Sequence, residues 1–208
     1  MNKEQLRLYV ITDGMRNPEI KVEQAIEGGA TIVQYREKSL GAEEKYEEAM
    51  KLFEVCREYG VPLIINDDVE LAEKIGADGV HVGQSDMSVW EARKRLGKNA
   101  IIGATAKTIP QAIEAMNQGA DYLGSGAMYV SSTKLDATPM SVECLKSICE
   151  SVSIPVVAIG GITKNNMDPL IGTGIAGVAV INGVFGEKDV TLAAKEIYEK
   201  TIKITGGI

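Results

Sequence analysis

Short β-branched or apolar runs recur along the chain, each followed by a stretch whose apolar residues return with helical spacing. The first run is Leu6 to Asp13, followed by an amphipathic stretch from Glu19 to Glu27. Next come Thr31 to Glu37 with Ala42 to Tyr59, Pro62 to Asp67 with Val69 to Ile75, and Gly79 to Gly83 with Ser88 to Leu96. A fifth unit pairs Ala100 to Ala106 with Ile109 to Gln118. The last three strands are predicted at Asp121 to Ala127, Pro155 to Gly161 and Gly177 to Gly183, with helices at Ser141 to Ser151, Lys164 to Ile171 and Val190 to Lys203. Runs such as Val156-Val157-Ala158-Ile159 are apolar at every position, the pattern of strands covered on both faces. The helices mix charge with apolar residues, as in Glu43 to Met50, so one face meets solvent. The triplets Gly28-Gly29-Ala30, Gly76-Ala77-Asp78 and Gly119-Ala120-Asp121 each precede a strand, where glycine ends a helix in a left-handed turn.

Strict alternation of eight strands and eight helices predicts an α/β protein. A doubly wound open sheet usually carries a Gly-rich loop after its first strand, but here that strand ends Ile11-Thr12-Asp13-Gly14-Met15. The count of eight matches a (β/α)8 TIM barrel, which needs at least about 200 residues. The 208 residues thus read as a single TIM-barrel domain spanning 1–208.

Composition narrows the partners. Lys and Arg total 22 against 29 Asp and Glu, a net charge of -7, which repels phosphate backbones and argues against nucleic acid. An anionic ligand must therefore be held by a local cationic cluster or a metal. Cys56, Cys144 and Cys149 form neither a CxxC pair nor an even disulfide framework and read as reduced thiols. No secretory signal and no membrane span is evident, so a cytoplasmic location is expected. The sequence does not fix the oligomeric state and is compatible with a homo-oligomer.

In a barrel of this kind the chemistry sits at the C-terminal ends of the strands, and polar residues gather there. Alternation places Gln34, Arg36 and Lys38 on one side of the second strand, suited to a phosphorylated ligand, with a salt-bridge network around Glu37 as the bland reading. Asn66-Asp67 and Asp86 end adjacent strands. Two carboxylates meeting in a cleft can hold Mg²⁺, although each aspartate could instead cap the helix that follows it. Gly160-Gly161-Ile162 and Ile181-Asn182-Gly183 fall after strands seven and eight, where backbone N–H groups often bind phosphate. The Ser/Thr-rich segment from Met128 to Met140 carries Lys134 and reads as a mobile lid. His81, the only histidine, reads as a hydrogen-bonded barrel residue or as a base, and both remain open; a zinc site or histidine-dependent triad is not expected. Trp90, Tyr46 and Tyr59 are expected to pack. The mouth thus offers two phosphate devices, which suggests a phosphorylated and a pyrophosphorylated substrate sharing one cavity, with departure of pyrophosphate as the natural chemistry.

These strings resemble the thiamin-phosphate synthase (thiamine-phosphate pyrophosphorylase) family over nearly the whole chain. The resemblance runs through Leu8 to Asp13, Val33-Gln34-Tyr35-Arg36-Glu37-Lys38, Leu63 to Asp67, Gly76 to Asp86, Gly119 to Tyr122, Ser132-Thr133-Lys134 and Pro155 to Ile162. It implies a Mg²⁺-assisted transferase that joins hydroxymethylpyrimidine pyrophosphate to a thiazole phosphate or its carboxylated form. It also implies roles: Gln34, Arg36, Lys38 and Asn66 as pyrimidine pyrophosphate ligands, and Asp67 and Asp86 as metal ligands. Lys134 would contact pyrophosphate, and Arg36, Lys38 and Lys134 would serve catalysis. Ser131 and Thr133 would contact the thiazole phosphate, Gly161, Ile181 and Asn182 would form the second phosphate site, and Thr105 would keep a hydroxyl of the substrate site.

The chain departs from the family pattern at several positions. Lys107 stands for a histidine, Val130-Ser131 for Pro-Thr, Ser125-Gly126-Ala127-Met128 lies where Gly-Pro is expected, Asn182 stands for serine, and Tyr35 for leucine. The pyrophosphate and metal half is intact while the thiazole half is altered. A thiazole tautomerase-like isomerase, a phosphosugar isomerase or epimerase, and a non-catalytic thiamin-precursor-binding regulator are the competing readings.

Overall fold

The computed structural model describes residues 1–130 and 139–206. Eight parallel strands close on themselves: β1 (Leu8–Ile11), β2 (Ile32–Tyr35), β3 (Leu63–Asn66), β4 (Gly79–Val82), β5 (Ile101–Thr105), β6 (Tyr122–Gly126), β7 (Val156–Ile159) and β8 (Gly177–Val180). Closure comes where Leu8, Tyr9 and Val10 pair with Val178, Ala179 and Val180. Around them lie α1 (Pro18–Glu27), α2 (Ala42–Tyr59), α3 (Val69–Ile75), α4 (Val89–Leu96), α5 (Ile109–Asn117), α6 (Val142–Ser151), α7 (Asn182–Phe185) and α8 (Val190–Ile204). The fold is the (β/α)8 barrel that the alternation predicts.

The strands are mostly apolar because they pack inward on one another and outward on the helices. Tyr9, Ile11, Ile32, Ile64, Tyr122, Val157 and Ala179 meet inside the barrel. Leu8, Val10, Val33, Leu63, Ile65, Val80 and Leu123 pack outward against the helices. Hydrophobicity alone would tolerate a one-residue slip, which exchanges the two faces. The polar interior residues do not tolerate it. Turning Gln34, Tyr9 or Tyr122 into the helix layer would strand their polar groups, at a cost of about 1–3 kcal/mol each.

The residues that enter β2, β4 and β6 also tie the barrel together. Asp78 Oδ2 accepts from the Leu63 N–H at 2.8 Å, Asp121 Oδ2 from the Ile102 N–H at 2.7 Å, and Thr31 Oγ1 from the Leu8 N–H at 3.0 Å. Each side chain thus satisfies an N–H at the first or second residue of the preceding strand. Arg93 adds a 2.6 Å ion pair to Asp121 and donates to the carbonyls of Ala100 and Gly119.

One predicted helix does not form. Residues 164–171 hold only a 3₁₀ turn at Asp168–Leu170. Pro169 removes a backbone donor there, and the Asn166 side chain takes the Thr163 N–H that a helix start would use. Gly172 and Gly174 then adopt positive φ of 78° and 87°. A short helix the pattern did not predict, α7, instead begins at Asn182, inside the expected end of β8.

Candidate active site

Construction of the mouth begins at β2. Gln34 is buried, and its Nε2 donates to the Tyr9 hydroxyl at 2.7 Å. Tyr9 and Tyr122 share a 2.8 Å hydroxyl contact, their rings edge to face, and Tyr122 reaches His81 Nδ1 at 3.1 Å. His81 Nε2 then meets Thr105 Oγ1 at 3.0 Å. Burial pushes both phenols well above their ordinary range, so both stay neutral. The direction that uses each hydroxyl once as donor runs from Gln34 through Tyr9 and Tyr122 to His81 Nδ1, with the Nε2 proton given to Thr105. Glycine makes room for it: a methyl on Gly103 would overlap the Tyr122 ring and sit 2.5 Å from His81 Nδ1. His81 is thus hydrogen-bonded through both ring nitrogens, the arrangement that the barrel-residue reading expects. Tyr9 and Tyr122 were missed by sequence reasoning; their signal was an aromatic hydroxyl at an inward position of an otherwise apolar strand.

Arg36 continues β2 on the same side as Gln34 but pairs with Asp13 at the end of β1, and its backbone N–H donates to Thr12 Oγ1 at 2.9 Å. The bland alternative, a salt-bridge network with Glu37, does not form, because Glu37 Oε1 accepts from Ser39 and Leu40 instead. Lys38 turns to Asp67, with Nζ 3.8 Å from Oδ2.

Asp67 sits just past β3 with φ of 61°, a left-handed conformation uncommon for any side chain but more accessible to aspartate than most. Its N–H is held by the His81 carbonyl at 2.9 Å, and Asn66 Nδ2 donates to its Oδ2 at 2.6 Å. Asp86 is fixed by the Gly83 N–H, 2.7 Å from its Oδ2. Neither caps a helix. Asp68 caps α3 and Ser88 caps α4, which removes the bland reading of both aspartates. Asp86 neighbours Asp67, and half-burial together with the interaction with Asp86 raises Asp67 above its ordinary pKa, opposed by Lys38 and Asn66. Two carboxylates so placed favour a shared proton or a cation between them. Mg²⁺ is often held by one or two carboxylates with phosphate oxygens and waters, and this donor pair fits it. A cavity of about 290 Å³ lined by Lys38, Lys45, Asn66, Asp67 and Asp68 opens on one side.

Across the mouth, Gly160 and Gly161 follow β7 with φ of 99° and 66°. Among the described residues, the N–H groups of Gly161 and Ile162 have no hydrogen-bond acceptor. Ile181 is half-buried and Asn182 opens α7. A methyl on Gly183 would lie 2.5 Å from the Ile162 carbonyl oxygen, so the loops after β7 and β8 are in contact. Ser131, Thr133 and Lys134 lie outside the described residues. The ends of their segment meet where the Met140 N–H donates to the Ala127 carbonyl at 2.7 Å.

Other expectations resolve away from the mouth. Tyr35 faces outward, and its hydroxyl donates to Glu48 at 3.0 Å, tying β2 to α2. Lys107 is exposed, its backbone N–H held by Gln111. Tyr46 packs, with Lys74 over its ring at 4.3 Å. Trp90 and Tyr59 are 57% and 40% exposed, so they are surface rather than packing residues. Among the described residues, no helix is long and apolar enough to cross a membrane.

The family model for thiamine monophosphate synthase matches residues 8–184. Thiamine-phosphate synthase of Clostridium acetobutylicum is 45% identical over 203 residues, covering 96% of each chain. Thiamine-phosphate synthase of Pyrococcus furiosus is 42% identical over 205 residues, covering 98% of this chain and 99% of its own. A solved structure, thiamine phosphate pyrophosphorylase from Pyrococcus furiosus, superposes with a TM-score of 0.88 at 41% identity, covering 96% of this chain and 98% of that one. The matched span contains both glycine loops, the aspartate pair and the buried hydroxyl chain, and on that basis the chain belongs to the thiamine monophosphate synthase family, transferases of thiamine biosynthesis.

Proposed function

We propose that this single-domain barrel joins a hydroxymethylpyrimidine diphosphate to a thiazole phosphate in the cytoplasm, yielding thiamin phosphate and pyrophosphate. The observation that carries the reading is the pairing of Asp67 with Asp86 beside Lys38 and Asn66, facing the glycine loop after β7 across the same mouth. Two anionic groups need two holding devices, and the mouth supplies a charged one and a backbone one. The family's substrates fit that division. Three unpaired thiols agree with a reducing compartment.

In this mechanism the bond between the pyrimidine methylene carbon and the diphosphate oxygen breaks, and its electron pair leaves with the diphosphate. The thiazole nitrogen lone pair then forms the new carbon–nitrogen bond. No proton is transferred, so the site needs no general base, consistent with His81 being tied on both nitrogens to Tyr122 and Thr105. Asp67 and Asp86 would hold a divalent ion, which when bound supplies positive charge against the diphosphate. Arg36, steadied by Asp13, and Lys38 hold the diphosphate as its charge grows, and Lys134 contributes a further ammonium group. Gln34, Asn66 and Thr105 orient the pyrimidine. Gly161, Ile181 and Asn182, with Ser131 and Thr133, receive the thiazole phosphate.

The test is incubation with both substrates and Mg²⁺ followed by mass detection of thiamin phosphate and assay of pyrophosphate. Stoichiometric release of both products is the expected result. Binding of both substrates without pyrophosphate release would overturn the reading.

A further inference from the structure

The glycine loop after β7 is held from outside itself, and the residues that hold it have no part in the chemistry above. Asn166 spans the loop with its side-chain amide: Nδ2 donates to the Gly161 carbonyl at 2.9 Å, and Oδ1 accepts from the Thr163 N–H at 2.8 Å. Its own backbone carbonyl accepts from the Tyr129 hydroxyl at 2.5 Å. Tyr129 stands just past β6, and its backbone N–H donates to the Gly160 carbonyl at 3.0 Å. It also approaches the turn closely: a methyl on Gly161 would come within 2.7 Å of the Tyr129 carbonyl oxygen and 2.8 Å of its Cβ.

These contacts divide the loop's backbone groups into two sets. The carbonyls of Gly160 and Gly161 and the N–H of Thr163 are occupied by Tyr129 and Asn166. The N–H groups of Gly161 and Ile162, between those fixed points, have no acceptor among the described residues. Two glycines in succession at positive φ form a flexible hinge in an isolated chain. A brace that spends the carbonyls and fixes both flanks leaves those two donors in one orientation, which is the preorganisation an anion site needs.

We propose that Tyr129 and Asn166 are positioning residues that set the Gly161 and Ile162 N–H groups for the phosphate of the second substrate. The proposal rests on the reading that this loop receives that phosphate. Neither side chain touches the ligand; both act through the loop backbone. The hydroxyl of Tyr129 matters as the group that holds Asn166, and the amide of Asn166 as the group that holds the turn. Because Tyr129 lies on the β6 side and Asn166 on the β7 side, the phosphate site depends on two consecutive βα loops rather than on the glycines alone.

The test measures steady-state kinetics for Tyr129→Phe, Asn166→Ala and Gly161→Ala, varying thiazole phosphate and pyrimidine diphosphate separately, with thermal unfolding of each variant. Tyr129→Phe removes one hydrogen bond and keeps the ring, so KM for thiazole phosphate should rise about 3- to 10-fold, the equivalent of one net hydrogen bond. Asn166→Ala should raise it further, while KM for the diphosphate stays within about twofold in both. If Gly161→Ala raises KM for thiazole phosphate and the other two variants do not, the brace is refuted and the phosphate reading stands. If Gly161→Ala also leaves that KM unchanged, the phosphate reading fails and the brace with it. If Tyr129→Phe lowers kcat and both affinities equally along with Tm, the pair is only structural and the proposal is overturned.

Discussion

Asp67 combines two features that are costly for a stable protein: a side chain in the left-handed backbone region and a half-buried carboxyl beside the charge of Asp86. Asparagine tolerates that backbone and carries no charge, so Asp67→Asn separates the two. Asp67 is raised in the folded state, so folding binds its proton more tightly. Stability is therefore lost as pH climbs from the unfolded carboxyl range through the raised folded value. Asp67→Asn should accordingly match the native chain in Tm at low pH and exceed it near neutrality, when both are measured without divalent ions. Activity should fall by about 10² or more, since one of the two ligands against the leaving diphosphate is gone. A variant with both full turnover and an unchanged Tm profile would show that the pair has no such role. Lys134→Ala should reduce kcat by about 10²-fold with little change in KM for thiazole phosphate, because its charge acts as diphosphate departs. A change confined to KM would contradict that assignment.

Elements here are joined by polar side chains at their ends as much as by apolar packing. The hydroxyl chain links β2, β1, β6, β4 and β5 in that order, through Gln34, Tyr9, Tyr122, His81 and Thr105. Tyr122→Phe removes its central link and leaves the Tyr9 hydroxyl and His81 Nδ1 short of a partner, at an expected cost of about 1–3 kcal/mol in unfolding free energy. It should also weaken binding of the pyrimidine substrate, because Gln34 and Thr105 lose their fixed orientation; denaturant melts and pyrimidine diphosphate titration read the two effects. At the opposite end of the barrel, Asp121→Ala removes the tie to Ile102 and the Arg93 pair. Its stability loss should be similar in size with kcat and KM unchanged, since conserving geometry at that end serves the fold rather than the site. A fall in kcat without loss of stability would refute that separation.

For the whole molecule, closure brings the ends of β2, β3 and β4 and the loops after β7 and β8 onto one rim. Ligand linkage follows from that arrangement: Mg²⁺ together with pyrophosphate should raise Tm of the native chain and should not raise it for Asp86→Ala. Equal shifts in both would place the ion elsewhere. Barrel closure was readable because each βα unit repeats the same apolar run and amphipathic helix. The rim residues were readable because strand ends in such a barrel all face one way. The partner of Arg36 was not readable: spacing offers its sequence neighbour Glu37 as a bland alternative to phosphate binding, whereas the barrel provides Asp13 from the adjacent strand.

The one-dimensional order of residues determined which positions are apolar, where glycine interrupts, and hence the count of βα units and the polar set at each strand end. Those properties are local, set by spacing and backbone preference within a few residues. The order of residues already put Asp67 and Asp86 at adjacent strand ends, but tertiary structure alone decided that Arg36 meets Asp13, Tyr9 meets Tyr122, and Tyr129 meets Asn166. It also decided that residues 164–171 turn rather than coil, because Asn166 had closer partners in Gly161 and Tyr129 than a helix would have offered. The contact between Tyr9 and Tyr122, 113 positions apart, depends on closure of the sheet, and closure is a property of all eight strands together.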